Sequence, residues 1–182
     1  MALIRSWSAT DIPEIARILA AGWRQAYGGF MPEAVLAPRT DSGHRAREIE
    51  SWLTSGLDPE TEALLIAEAE SRVRGFIALR LGDKDGLGTA GFVPLLYIDL
   101  EAQRQGLGTA LLLAGVDWLE ARSPGALAIS AFAQNPYRGF YDAIGGTVAK
   151  AVTVRIDGHP FEVVQYYWPN CEAIRAGLAA RI

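Results

Sequence analysis

The fold is decided by one stretch near the middle of the chain, Leu96–Leu112, which reads LYIDLEAQRQGLGTALL. It begins with apolar residues, continues into a short polar turn, and carries two glycines one residue apart, Gly106 and Gly108. Apolar or small residues then recur at steps of three and four, the period of one helix face, at Leu111, Leu112, Gly115, Trp118 and Leu119. The stretch therefore predicts a strand, a tight glycine turn and the N-terminus of a helix.

Such a turn is suited to binding an anion. The first amides of a helix have no carbonyl partner within it, and the positive end of the helix dipole lies behind them. Phosphate is the usual ligand, and glycine lets the backbone approach it because no Cβ intervenes. The turn is not a P-loop, since no Gly-Lys-Ser/Thr follows the glycines, and Leu111 stands where a dinucleotide fingerprint requires a third glycine. The stretch alone predicts a phosphate ligand without naming it.

Composition excludes several classes of protein. The chain has 182 residues, 50% of them hydrophobic and 21% charged, which is typical of a globular domain. A net charge of -4 without a basic run argues against nucleic acid as a partner, and no apolar run reaches membrane-spanning length. The two histidines and the single Cys171 lie far apart, so we expect neither a metal site nor a disulfide. Without the layout of a signal peptide at the N-terminus, we expect a cytoplasmic protein with no membrane partner.

Periodicity and turn residues predict the remaining elements. The predicted strands are Leu3–Ser6, Ala63–Ala69, Arg74–Leu81, Phe92–Asp99 with Pro94 interrupting it, Ala126–Ala131, Val148–Ile156 and Phe161–Trp168. The predicted helices run from Ile12 to about Ala26, from Met31-Pro32-Glu33 onward, over Ala46–Leu53, after the glycine turn, over Arg138–Ile144 and over Glu172–Leu178. The central order is β-α-α-β-β-β-α-β-α-β-β, which predicts an α/β fold, a mixed α+β sheet with helices against it, as a single domain over residues 1–182.

Two motifs carry a family resemblance. Gln103-x-x-Gly106-x-Gly108 resembles the coenzyme A pyrophosphate loop of the GCN5-related N-acetyltransferases (GNAT), and Asn135–Gly146, reading NPYRGFYDAIGG, resembles their second signature. Trp23-x-x-x-Tyr27, Met31-Pro32 and Glu162-Val163-x-x-x-Tyr167-Trp168 resemble flanking segments, so that the resemblance covers nearly the whole chain. Two departures stand out. Leu100 replaces a frequent proline, and the strand before the loop offers only Asp99 where the family often has a catalytic glutamate.

The resemblance implies a GNAT-like acyl-CoA N-acyltransferase fold and a reaction. It implies direct transfer of acetyl from acetyl-CoA, as co-substrate, to a primary amine of a small molecule, an amino acid or a peptide or protein N-terminus. The net negative charge favours a cationic amine. Cys171 is remote from both motifs, so a covalent acetyl-cysteine route has no support.

The resemblance also assigns site residues. The residues that bind acetyl-CoA are predicted to be Ile98, Asp99, Leu100, Gln103, Arg104, Gln105, Gly106, Leu107, Gly108, Thr109, Asn135, Arg138 and Tyr141. The residues that bind the acceptor are predicted to be Trp23, Tyr27, Phe30 and Met31. Alternatives stay open for three side chains: Arg104 contacts phosphate or only solvent, Asn135 bonds pantetheine or caps the short helix, and Arg138 reaches a phosphate or pairs with Asp142.

Tyr141 is the predicted general acid, because its hydroxyl can donate a proton to the departing CoA thiolate. The general base is less well defined: Asp99 is the predicted residue, and Glu68, Glu70 and His44 are further candidates. Two other classes stay open, a non-catalytic acyl-CoA-binding regulatory module and another α/β domain with a phosphate ligand. The resemblance also leaves open whether the chain forms a homodimer.

Overall fold

A computed structural model describes residues 2–180 of the chain. Contacts between residues divide the chain into two compact units. The first unit consists of the chain up to Ala78 together with Leu95–Ala114. The second consists of Leu79–Pro94 together with the chain from Gly115 onward. That these units fold as one domain over residues 1–182 stays a prediction.

The strands and helices alternate largely as predicted. The strands are β1 (Leu3–Ser6), β2 (Glu62–Ala69), β3 (Arg72–Leu81), β4 (Gly91–Ile98), β5 (Leu127–Phe132), β6 (Thr147–Ile156) and β7 (His159–Trp168). The helices are α1 (Ile12–Tyr27), α2 (Glu33–Thr40), α3 (Ser42–Ser51), α4 (Leu107–Glu120), α5 (Gly139–Ala143) and α6 (Cys171–Ala179). The seven strands form a mixed sheet in the order β1-β2-β3-β4-β5-β7-β6, which confirms the predicted fold class.

The predicted order needs one correction. The order counts two helices between β1 and β2 and none after β7, whereas the structure has three helices there and α6 after β7, in agreement with the individually predicted helices. The third helix also begins at Ser42 and not at Ala46, because the side chain of Asp41 accepts a hydrogen bond from the His44 amide and caps an earlier start. Its first turn is polar, so hydrophobic periodicity gave no signal there.

The core of the first unit is built on α1. Pro13 stands in its first turn, where a missing amide hydrogen costs nothing, and its apolar face includes Ile12, Ile15 and Leu19. This face belongs to a cluster with residues of α3, β2 and β3: Ile49, Leu64, Ile66, Val73 and Phe76. The cluster fixes the elements that surround the end of β4.

In the second unit, β4 and β5 pair in parallel from Gly91 opposite Leu127 to Val93 opposite Ile129. Pro94 follows Val93 directly and lacks an amide hydrogen for a ladder, as predicted from the sequence. Strand β7 pairs antiparallel with both β5 and β6, and the fully buried Trp168 donates its indole N–H to the Ile144 carbonyl (3.0 Å).

Within residues 2–180, no helix has the length and apolar character needed to cross a bilayer.

Candidate active site

The glycine turn connects β4 to α4. After β4 the chain forms a short 3-10 turn, Leu100–Ala102, then the turn Gln103–Gly106, and α4 begins at Leu107. Arg104 (φ 63°) and Gly106 (φ 81°) are both left-handed, and a Cβ placed on Gly106 would meet open space. The Ala110 amide donates to the Gly106 carbonyl (3.0 Å), which starts the helical ladder.

The turn exposes its backbone while its two ends are anchored. Ala102 and Leu107 are buried, whereas the intervening Arg104, Gln105 and Gly106 are exposed. The Gln105 side chain donates back to the Glu101 carbonyl (3.2 Å), so it stabilises the turn itself. The amides that open α4 have no carbonyl acceptor within the helix. An exposed turn that leads into a helix N-terminus is an arrangement in which proteins commonly bind an anion.

Asp99 lies at the entrance to this turn and is only 4% exposed. Both of its carboxylate oxygens accept hydrogen bonds from Arg17, at 3.3 and 2.8 Å, and one accepts a further bond from Arg74 at 3.2 Å. The hydrogen bond from Arg17, which outweighs the opposing effect of burial, together with Arg74 lowers the pKa of Asp99 below its usual range. A carboxylate held in this way is a poor general base.

The other candidates for the base are also occupied or solvated. Glu68 accepts a hydrogen bond from Arg5 (2.8 Å), and Glu70 is highly exposed, with its carboxylate 3.7 Å from Arg74. The imidazole of His44 lies 3.4 Å from Glu48 on the same helix. The assignment of a side-chain base therefore stays a prediction without geometric support.

The predicted acceptor residues come together at the end of α1. The rings of Trp23 and Tyr27 meet edge to face at 4.9 Å, and Tyr27 meets Phe30 similarly at 5.8 Å. The Met31 amide donates to the Tyr27 carbonyl (2.9 Å). Burial raises the pKa of Tyr27, so its hydroxyl stays protonated.

Sequence reasoning missed Tyr97 on β4 as a member of this group. Its hydroxyl lies 3.4 Å from that of Tyr27, and its ring approaches Gly22 so closely that a Cβ there would clash. The alternation of side chains along a strand offered a signal. Tyr97 is an aromatic residue two positions before Asp99, and residues two apart face the same side of a strand. Arg39 and Arg45, whose guanidinium groups lie over the Trp23 ring at 5.6 and 4.9 Å, were also missed and offered no local signal.

The second motif forms a turn and the short helix α5. The Asn135 side chain accepts a hydrogen bond from the Tyr137 amide (2.9 Å), which stabilises the turn before α5. The N-cap of α5 is Arg138, so Asn135 does not cap this helix, and its contact with pantetheine stays a prediction. Arg138 donates from Nε to the Tyr166 hydroxyl (3.1 Å) and from Nη1 to the Ala133 carbonyl (2.7 Å). The Tyr166 hydroxyl in turn donates to Asp142 (2.8 Å). Tyr166, which was not predicted, thus links Arg138 to Asp142.

Tyr141 lies half-buried on α5. Its ring is 5.6 Å from that of Phe140 and 5.3 Å from that of Tyr166. Burial and the hydrogen bond to Asp142 raise the pKa of Tyr166. Tyr166 therefore stays neutral and provides a fixed aromatic surface for Tyr141.

Comparison with known proteins identifies relatives along most of the chain. A sequence profile described as "Acetyltransferase (GNAT) family" matches residues 22–145. The protein described as uncharacterized N-acetyltransferase YuaI of Bacillus subtilis (strain 168) is 26% identical over 177 residues, 96% of this chain and 97% of its own length.

Solved structures agree on the fold. PaiA N-acetyltransferase of Thermoplasma acidophilum, in complex with coenzyme A, superposes with a TM-score of 0.65 at 21% identity over 93% of this chain and 99% of its own. The putative acetyltransferase yncA of Salmonella typhimurium, with its cofactor acetyl-CoA, gives a TM-score of 0.63 at 18% identity over 93% of this chain and 94% of its own.

Proposed function

Since the chain belongs to the Acetyltransferase (GNAT) family, we propose that this acyltransferase moves an acetyl group from acetyl-CoA directly onto a primary amine. The amine belongs to a small molecule, an amino acid or a peptide N-terminus. One observation carries the proposal: the turn Gln103–Gly106, in which Arg104 and Gly106 are left-handed, leads straight into the N-terminus of α4.

In this proposal the backbone from Gln103 to Thr109 binds the diphosphate of acetyl-CoA. The first amides of α4, a helix of 14 residues, have no acceptor within the helix, and the helix dipole favours negative charge there. The backbone of Ile98 and Leu100 bonds the pantetheine arm in the manner of a strand. The predicted backbone contact of Asp99 is not part of this proposal, because its amide already bonds the Arg74 carbonyl and its carbonyl already bonds the Ala102 amide. Side chains contribute less, because Gln105 already bonds the turn and Arg104 is exposed.

The chemistry needs a proton removed from the amine and a donor for the sulfur. The amine nitrogen attacks the thioester carbonyl, the C–N bond forms, and the C–S bond breaks with its electron pair left on sulfur. Tyr141 supplies an O–H donor to this thiolate, whose conjugate thiol has a pKa of about 8.5. Because Asp99 is ion-paired, water accepts the amine proton, and turnover rises with pH toward the amine pKa of about 10.4.

The first experiment is thermal unfolding with acetyl-CoA, CoA, ATP and NAD added separately. A ligand at a hundred times its Kd adds about 2.7 kcal/mol to the free energy of unfolding, which raises Tm visibly. We expect a rise with acetyl-CoA and CoA and none with the nucleotides. A larger rise with ATP or NAD would contradict the assignment of the turn.

The second experiment measures release of CoA thiol with a panel of amino acids, diamines and short peptides. We expect Tyr141→Phe to lower kcat by about a hundredfold and to leave CoA affinity unchanged, because only a proton donor is lost. Tyr137→Phe, a nearby exposed tyrosine, is the matched control and should keep wild-type kcat. Equal kcat values for Tyr141→Phe and the wild type would refute the role of Tyr141 as general acid.

A further inference from the structure

We infer that Asp99 is a positioning residue, which holds the end of β4 between α1 and β3 and thereby places the glycine turn for acetyl-CoA. The inference rests on the proposed function of that turn. It replaces the predicted role of Asp99 as base with a role that acts through the backbone.

Every polar group of Asp99 is engaged. Its amide donates to the Arg74 carbonyl on β3 (2.8 Å), and its carbonyl accepts from the Ala102 amide (2.8 Å). Its carboxylate accepts from Arg17 of α1 and from Arg74 of β3. One residue thus joins a helix, a strand and the first turn after β4. The turn begins four residues later, so a shift at Asp99 is transmitted to its amides.

The other anions around these arginines cannot replace Asp99. Glu101 and Glu70 lie 3.6 and 3.7 Å from Arg74 but are 82% and 85% exposed, and Glu14, which contacts Arg17, is also partly solvated. Exposed pairs contribute little to the position of a segment, whereas a buried carboxylate with charge-assisted hydrogen bonds has a fixed geometry. Asp99 is therefore the anion that orders this junction.

The geometry also argues against proton transfer. Oδ1 faces Nη1 of Arg17, and Oδ2 faces both Nη2 of Arg17 and Nη1 of Arg74. A base would need an oxygen available to an incoming amine or water. Here three hydrogen bonds from two guanidinium groups take most of the acceptor positions of the carboxylate.

The test compares Asp99→Asn with Asp117→Asn. Asparagine keeps the size of the side chain but loses the charge, and Asp117 is a matched control because it also pairs with an arginine, Arg175, but is 64% exposed. CoA binding is measured by calorimetry. The values of kcat and KM are measured with the amine of the panel that gives the greatest release of CoA thiol. All measurements are made at least 15 °C below the Tm of each variant.

We expect Asp99→Asn to raise both the Kd for CoA and the KM for acetyl-CoA about tenfold, with kcat within threefold of wild type. Asp117→Asn should match the wild type. A milder variant, Arg17→Gln, covers the case in which Asp99→Asn does not fold, and should raise the same Kd about threefold.

Four outcomes would overturn the inference. A fall in kcat at unchanged KM would make Asp99 the base, and a lower Tm with unchanged Kd and KM would make it purely structural. If the wild type itself fails to bind CoA, the proposed function fails and the inference with it. Wild-type affinity in Asp99→Asn defeats the inference alone.

Discussion

Two turns in this chain each combine a left-handed residue with a glycine of positive φ. The two residues flank Gln105 in one turn and are adjacent in the other. In the first, Arg104 and Gly106 have φ of 63° and 81°; in the second, between β6 and β7, Asp157 and Gly158 have φ of 49° and 82°. Both glycines are exposed, and a Cβ on either would meet open space. Glycine is favoured at both for the same reason, because side chains disfavour positive φ.

The two turns differ in the element that each one leads into. After Gly158 the chain enters β7, and His159 pairs with Ile156 in an antiparallel ladder, which takes up backbone amides. After Gly106 it enters α4, whose first amides have no acceptor within the helix. A glycine with positive φ therefore lies in a plain hairpin in one place and in the proposed anion site in the other. A glycine motif becomes informative only together with the next element of the chain.

The sharpest test of this contrast replaces each glycine with alanine. Positive φ costs alanine about 1–2 kcal/mol, so Gly106→Ala and Gly158→Ala should lower the free energy of unfolding by similar amounts. Only Gly106→Ala should weaken CoA binding, by about tenfold or more, which corresponds to about 1.4 kcal/mol or more, because its Cβ stands where phosphate approaches. Urea unfolding measures the loss of stability, and calorimetry measures the loss of CoA affinity.

Gly158→Ala is the control within this pair. Equal CoA affinities for the two variants, at equal loss of stability, would remove the distinction between the turns. Weaker CoA binding in Gly158→Ala would show that strain alone, and not the position of the Cβ, lowers affinity.

The entrances to the turns differ as well, and pH tests this difference. Asp99 precedes the first turn as a buried ion pair, whereas Arg155 precedes the second and donates to the Gly158 carbonyl (2.8 Å). Arg17 lowers the pKa of Asp99, so its contribution to stability is complete above the unfolded pKa of about 3.9 and is lost as pH falls through the lower folded pKa.

Wild-type stability should therefore fall steeply as pH drops below about 4, and Asp99→Asn should show a shallower fall because asparagine does not titrate. Urea unfolding at pH 7, 5, 4 and 3 measures both slopes. Asp11, whose pKa Arg5 lowers in the same way, contributes to the acid loss in both proteins. Identical slopes would mean that Asp99 does not stabilise the junction.

Much of this architecture could be predicted from the sequence, because it depends on interactions between residues that are close in the chain. The apolar run, the glycines and the helical period near Leu96–Leu112 all act within a few residues, and the observed β4 and α4 agree with them. The hydrogen bond from the Tyr137 amide to Asn135 spans two residues and is typical of an asparagine in a turn. Local chemistry is readable when the partners are close in sequence.

The contacts that the sequence did not show depend on distant partners. Nothing near Asp99 in the sequence shows that Arg17, 82 residues earlier, bonds its carboxylate. Tyr166 lies 28 residues after Arg138 and bonds both Arg138 and Asp142, whose direct pairing was one of two predicted alternatives. Which side chains meet across a sheet is set by tertiary packing, which no spacing rule near these residues encodes.

The smallest expected effects concern Arg104, which lies within the first turn, and Arg155, which precedes the second. Arg104 is exposed, so Arg104→Ala should weaken CoA binding only about two- to fivefold, in line with about 0.4–1 kcal/mol for a solvated charge, and less at high salt. Arg155→Ala should leave CoA affinity unchanged and slightly lower stability, because it removes a hydrogen bond to the Gly158 carbonyl. Calorimetry at two salt concentrations distinguishes them. A salt-independent, hundredfold loss in Arg104→Ala would instead assign most of the binding energy to that side chain, and the backbone amides of α4 could no longer be the main contact with the diphosphate.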